Sequence, residues 1–118
     1  MASLKAPMTA DQPPIRVIIA EDHPFAREGL ELLLSADPYI TIIGTSDSFV
    51  ALLKHPGLAD CEVLLLDVGG MGDGPMVMVS QLLRAAPQLR IVIFATSVDM
   101  APELLNVGAI GYVAKDDP

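Results

Sequence analysis

Several polar residues stand where apolar runs stop, and their types together could handle a cation and a phosphoryl group. Val63-Leu64-Leu65-Leu66 runs into Asp67 and then into a loop holding four glycines, Gly69, Gly70, Gly72 and Gly74. Ile15–Ala20 (IRVIIA) runs into Glu21-Asp22, Arg90–Ala95 (RIVIFA) into Thr96-Ser97, and Ile110–Ala114 (IGYVA) into Lys115. A short apolar run bounded by turn residues reads as a buried strand of a parallel sheet. Open α/β sheets keep their ligands at the carboxyl ends of such strands. Asp67 is therefore expected to be a chemical acceptor, with the rest of the chain building its pocket.

On one parallel edge the three carboxylates would crowd together. Two unit charges about 4 Å apart repel by roughly 4 kcal/mol at an effective dielectric near 20. The cluster then needs a cation, or one acid must take up a proton. All-oxygen ligation suits Mg²⁺, which keeps waters and accepts phosphoryl oxygens, and Lys115 would supply a fixed positive charge opposite. Each piece also has a plainer reading, since acidic pairs in loops are usually solvated and strand-end lysines usually snorkel. Two acidic strand ends and one basic end on a single edge favour a site. From the residues alone a metal-and-phosphoryl site and a solvated charged edge both stand.

The elements that must position these groups follow from apolar spacing. Strands are expected at Ile15–Ala20, Tyr39–Gly44, Val63–Asp67, Arg90–Ala95 and Ile110–Ala114. A first helix over Phe25–Ala36, with Pro24 in its first turn, turns Ala26, Leu30, Leu33 and Leu34 inward. A short second helix starts at a Ser46 or Ser48 cap and ends at Lys54 before His55-Pro56-Gly57. A third spans Pro75–Ala86, with Met76, Val77, Val79, Leu82 and Leu83 as its apolar side. A fourth covers Ala101–Val107, with Asp99 as a cap. Strands alternating with helices over short links demand right-handed crossovers and a parallel α/β sheet. Residues 1–14, with Pro7, Pro13 and Pro14, read as a flexible leader, and residues 15–118 as one domain. A fifth helix to cover the last strand is missing or truncated.

Composition excludes some classes. Seven basic against fifteen acidic residues give a net charge of −8, opposite to the basic footprint of a nucleic-acid binder. No apolar run approaches the ~18 residues of a membrane span. Cys61 is the only cysteine, so no intramolecular disulfide forms and the cytoplasm is the simplest location; beside an apolar strand it reads as a small buried hydrophobe. The glycines fit neither GxGxxG nor a P-loop. His23 is a poor ligand for hard Mg²⁺, Asp73 reads as a solvated turn residue, and Met76 and Met78 as helix packing.

IRVIIAEDHPFAREGLELLLSADPYITIIG, VLLLDV, RIVIF and GAIGYVAKD together resemble the receiver domain of two-component response regulators, closest to the subfamily with a C-terminal LuxR-type helix-turn-helix domain. The resemblance implies a flavodoxin-like, doubly wound five-stranded parallel sheet in the order 2-1-3-4-5. It implies phosphoryl transfer from a sensor histidine kinase to Asp67, Mg²⁺ held by Glu21, Asp22, Asp67 and the Gly69 carbonyl, and Lys115 on the phosphoryl oxygens. A hydroxyl after strand four and an aromatic in strand five would carry the switch. Tyr112 sits at the aromatic position; Ala95 falls at the hydroxyl position and Thr96 one residue later. A homodimer, and DNA reached only through an output domain outside this chain, are the other implied partners; a membrane is not. The loop Val68–Gly74 lacks the family's usual proline. A degenerate receiver serving as a phosphorylation-independent interaction module is the alternative. A small Mg²⁺-dependent phosphatase would want an acid where Gly69 stands.

Overall fold

The computed structural model describes residues 12–69, 74–95 and 99–115. Five parallel strands, β1 (Ile15–Ala20), β2 (Ile40–Ser46), β3 (Val63–Asp67), β4 (Arg90–Ala95) and β5 (Gly111–Ala114), form one sheet in the order β2-β1-β3-β4-β5. The helices α1 (Pro24–Ser35), α2 (Phe49–Leu53), α3 (Pro75–Ala85) and α4 (Ala101–Asn106) alternate with them. This is the doubly wound order expected, and β1, β3 and β4 keep their expected limits. β2 runs two residues beyond Gly44, because its edge continues to pair with β1 up to Ser46 opposite Ala20. A single 3₁₀ turn at Leu58–Asp60 has no counterpart in the apolar spacing. No helix follows β5 among the described residues. Of the expected leader, residues 1–11 lie outside those described.

Side chains alternate across the strands, and one face carries the main core. Ile18, Ala20, Leu64, Leu66, Ile91 and Ile93 pack there with Leu52 of α2, Met78, Val79 and Leu82 of α3, and Leu104 of α4. Cys61 joins this core, and its Sγ lies 3.2 Å from the Val63 carbonyl. Burial of that kind stabilises by roughly 1.5–3 kcal/mol per large aliphatic side chain. The other face is thinner. α1 lies over β1 and β2 and has no fully buried residue. Ala26, Leu30 and Leu34, four apart, are half-buried, but Leu33 is 74% exposed. The spacing predicts Leu33 inside; one residue is about 100° of helix rotation, which turns it away from a helix that touches the sheet along a single line. Val77 is corrected for the same reason, at 54% exposed, while its neighbour Met78 is buried. Beside α1, Val17, Leu34, Val63, Leu65 and Val92 line an apolar recess of about 220 Å³.

Local chemistry sets the ends. Pro24 occupies the first turn of α1, and His23 caps it by accepting the Ala26 N–H at 3.4 Å. Of the two serines, Ser48 caps α2, accepting the Ala51 N–H at 3.1 Å. Asp99 does not cap α4; Met100 stands at that position without a side-chain cap. The His55 ring is held by accepting the Gly57 N–H at Nδ1, 2.9 Å. It lies so close over β2 that a Cβ on Gly44 would meet Cε1 and Nε2 at 2.5 Å. Gly44→Ala should therefore lower stability by about 1–3 kcal/mol, read as a drop in melting temperature. The drop should shrink in a His55→Ala background, because the two side chains would then no longer collide.

Candidate functional site

Register brings the acidic strand ends together. Ala20 pairs with Leu66, so the next residues along β1 and β3, Glu21 and Asp67, stand side by side. Ala95 pairs with Ala114, and the Lys115 N–H donates to the Ala95 carbonyl at 2.7 Å, which starts Lys115 at the same level. Carboxylate oxygens of Glu21, Asp22 and Asp67 lie within 4.8 Å of one another. Glu21 and Asp67 are 1% and 3% exposed, while Asp22 is open to solvent. Lys115 Nζ lies 2.9 Å from Asp67 Oδ2 and 3.5 Å from Glu21 Oε1. The Gly69 N–H donates to Asp67 Oδ1 at 3.0 Å.

The arrangement departs from a solvated charged edge. A buried acid must be hydrogen-bonded or neutralised. Asp67 has both oxygens satisfied. Burial alone would raise its pKa, but the neighbouring Glu21, the Gly69 N–H and the Lys115 ammonium outweigh it and hold the carboxyl below its usual range. Glu21 goes the other way. Burial, followed by the adjoining Asp67 carboxylate, pushes its pKa up to about 7, against the pull of the His23 N–H and Lys115. Lys115 is held above its usual value; burial acts against the charge, but the hydrogen bond and charge of Asp67 prevail. Asp67 is thus ionised, and its neighbour Glu21 loses its proton near neutrality.

Glu21 Oε2 accepts the His23 N–H at 3.1 Å, but Oε1 is buried and makes no hydrogen bond. Its nearby cation, the Lys115 ammonium, stands 3.5 Å away without making that bond, so the buried oxygen is only partly compensated. An oxygen left in this state, beside two more carboxylates that converge on one point, is the donor set of a hard divalent cation. Mg²⁺ therefore fits the residues present, with Glu21, Asp22 and Asp67 as the groups that would hold it.

The remaining expected site residues fare differently. Gly69 is adjacent, through its N–H to Asp67. Thr96, the candidate switch hydroxyl one residue beyond the family position, lies outside the described residues, as does Asp73. Tyr112 is half-buried against the core, and burial followed by the nearby Asp99 charge raises its pKa. His23 is no ligand in the cluster; it caps α1 and lends its N–H to Glu21, a role that Pro24 in the first helical turn could have signalled. Two further contributors carry no signal in the motifs. Arg27 of α1 donates from Nη1 to the Glu21 carbonyl at 2.8 Å, which ties α1 to the acidic strand end. Phe94 of β4 places its ring 5.6 Å from Lys115 Nζ; inside RIVIFA it looks like ordinary strand core.

Comparison with known proteins agrees with this geometry. The family model of the response regulator receiver domain matches residues 17–118. The chain is 32% identical over 103 residues to response regulator GacA of Pseudomonas viridiflava, covering 86% of this chain and 48% of the relative. It is 32% identical over 104 residues to the DNA-binding transcriptional activator DevR/DosR of Mycobacterium tuberculosis, with the same coverage. It thus spans about half the length of the curated relatives it matches. Among solved structures, the receiver domain of the response regulator NarL from Mycobacterium tuberculosis superposes with a TM-score of 0.78 at 25% identity, covering 91% of this chain and 88% of that one. The isolated receiver domain of RcsB from Salmonella enterica, solved with the phosphomimetic BeF₃⁻, gives 0.78 at 25% identity, covering 89% and 80%.

Proposed function

Because the chain belongs to the response regulator receiver family, we propose that it accepts a phosphoryl group on Asp67 from a sensor histidine kinase, with Mg²⁺, and signals to an output that regulates transcription. One observation carries the proposal. Asp67 is a buried carboxylate kept ionised by the neighbouring Glu21, the Gly69 N–H and Lys115 at 2.9 Å, beside an acid pair whose Glu21 has an oxygen without a hydrogen-bond donor.

The chain's own residues divide the work. Asp67 is the nucleophile; its low pKa keeps an oxygen lone pair free at neutral pH. That oxygen forms a bond to phosphorus as the bond to the donor imidazole breaks, and the imidazole leaves with the electron pair. A mixed anhydride remains on Asp67, to be hydrolysed later by water. Lys115 stays beside the new phosphoryl oxygens and balances their charge. Glu21, Asp22 and Asp67 would hold the Mg²⁺, which would offset charge on the acids and the phosphoryl oxygens. The Gly69 N–H fixes the orientation of the Asp67 carboxylate.

The output lies beyond this segment. A net charge of −8 makes the receiver itself a poor match for DNA, so any DNA contact falls to an output domain; the relative DevR/DosR is by name a DNA-binding transcriptional activator. A cytoplasmic location follows from the reading. No described helix is long and apolar enough to cross a membrane.

Incubation with acetyl phosphate and Mg²⁺ tests the proposal, since the small acyl phosphate replaces the kinase. Intact mass spectrometry should record one added phosphoryl group per chain, dependent on Mg²⁺ and lost on chelation. An unchanged mass under conditions that label a control receiver would make the chain a phosphorylation-independent interaction module.

A further inference from the structure

The geometry points to Phe94 as a positioning residue that keeps the Lys115 ammonium over the acceptor when the carboxylates turn to another cation. The inference rests on the phosphoacceptor reading of the site. Among the described residues Lys115 has three partners. Two are the Asp67 and Glu21 carboxylates, at 2.9 and 3.5 Å. The third is the ring of Phe94, whose centroid lies 5.6 Å from Nζ, inside the ~6 Å range in which an aromatic face attracts an ammonium.

The partners differ in what can displace them. The carboxylates are the groups expected to hold Mg²⁺, so Lys115 loses part of its share of those oxygens whenever they bind it. A lysine side chain has four flexible carbons and high rotamer freedom, and this one is about one quarter exposed, so solvent is an available alternative. The ring carries no oxygen for a hard cation to take. Its attraction comes from the quadrupole of the aromatic face, which a competing metal leaves in place. Sheet register fixes its location: Phe94 pairs with Asp67 on one side and Val113 on the other. The ring therefore travels with the acceptor, and Lys115 follows β5 by one residue beyond Ala114. A leucine there would fill similar space without a charged-group partner.

Lysine NMR tests this directly, because the chain has only Lys5, Lys54 and Lys115. In protein labelled with ¹³C-lysine, one ε-CH₂ signal should be shifted upfield by the ring current. It should vanish in Lys115→Gln, persist on adding Mg²⁺, return to the ordinary position in Phe94→Leu, and stay shifted in Phe94→Tyr. In parallel, the rate of phosphorylation by acetyl phosphate should fall about two- to fivefold in Phe94→Leu, the size of a partly exposed cation–π contact, and recover in Phe94→Tyr. A wild-type Lys115 signal that is unshifted with Mg²⁺ would overturn the inference, as would a Phe94→Leu rate equal to wild type. The wild-type spectrum needs no variant to fold. If no form takes up a phosphoryl group, the phosphoacceptor reading fails, while the Lys115 signal still decides the placement of the ammonium.

Discussion

Asp67→Asn should abolish phosphoryl uptake from acetyl phosphate while leaving the fold intact. The amide has the shape of the carboxylate but lacks its negative charge, so its oxygen is too weak a nucleophile to form the mixed anhydride. The structural cost is modest. The amide oxygen of the variant can still accept the Gly69 N–H, as Asp67 Oδ1 does at 3.0 Å, and the charge-assisted contact with Lys115 is then the one lost, worth about 1.5–3 kcal/mol. Lys115 retains Glu21 at 3.5 Å. Removing the Asp67 charge also removes one of the two leading causes that raise Glu21, so its pKa should fall. Intact mass and a melting curve check both halves. A variant that still gains a phosphoryl group would move the acceptor elsewhere.

The second large effect concerns Glu21, whose pKa stands at about 7 against an ordinary 4.5. The sign follows from proton counting. Between these values the folded chain binds the proton and the unfolded chain does not, so this group's contribution is fully present below about pH 4.5. It is lost as the pH rises through about 7. Above pH 7 the metal-free protein carries two buried carboxylates with one Lys115 between them. Glu21→Gln keeps the neutral form at every pH. It should therefore be more stable than wild type at pH 8, by an amount on the order of 1–3 kcal/mol, and close to wild type at pH 4.5. Mg²⁺ should reverse the ranking. The wild type gains a cation for Glu21 Oε1, releases a proton on binding below pH 7, and melts higher; Glu21→Gln loses roughly tenfold or more in Mg²⁺ affinity, the loss seen even for groups one step removed from a metal. Thermal melts at the two pH values with and without Mg²⁺ measure this. A Glu21→Gln chain that binds Mg²⁺ as tightly as wild type would remove Glu21 from the metal set.

The sheet and its acidic edge were legible because charge at the end of an apolar run is a strong local signal. Asp67, Glu21-Asp22 and Lys115 each break a run of β-branched or aliphatic residues, and parallel pairing leaves one edge for all of them. Helix faces were less legible. Leu33 and Leu34 are equally apolar, and only the angle at which α1 meets β1 and β2 decides that Leu34 is partly covered and Leu33 is not. Val77 and Met78 repeat the lesson on α3. Phe94 could not be told from core, since its contact with Lys115 depends on a register that the chain does not spell out. His23 reads as a poor ligand for hard Mg²⁺, and its actual place as the cap of α1 is marked only by its neighbour Pro24.

Reduction with borohydride after phosphorylation tests the central claim most directly, because it converts an aspartyl phosphate to homoserine in place. Peptide sequencing should then find homoserine at position 67, only in samples that received both acetyl phosphate and Mg²⁺. Homoserine at position 22 instead, or none anywhere in a chain of increased mass, would contradict the assignment of Asp67 as the acceptor.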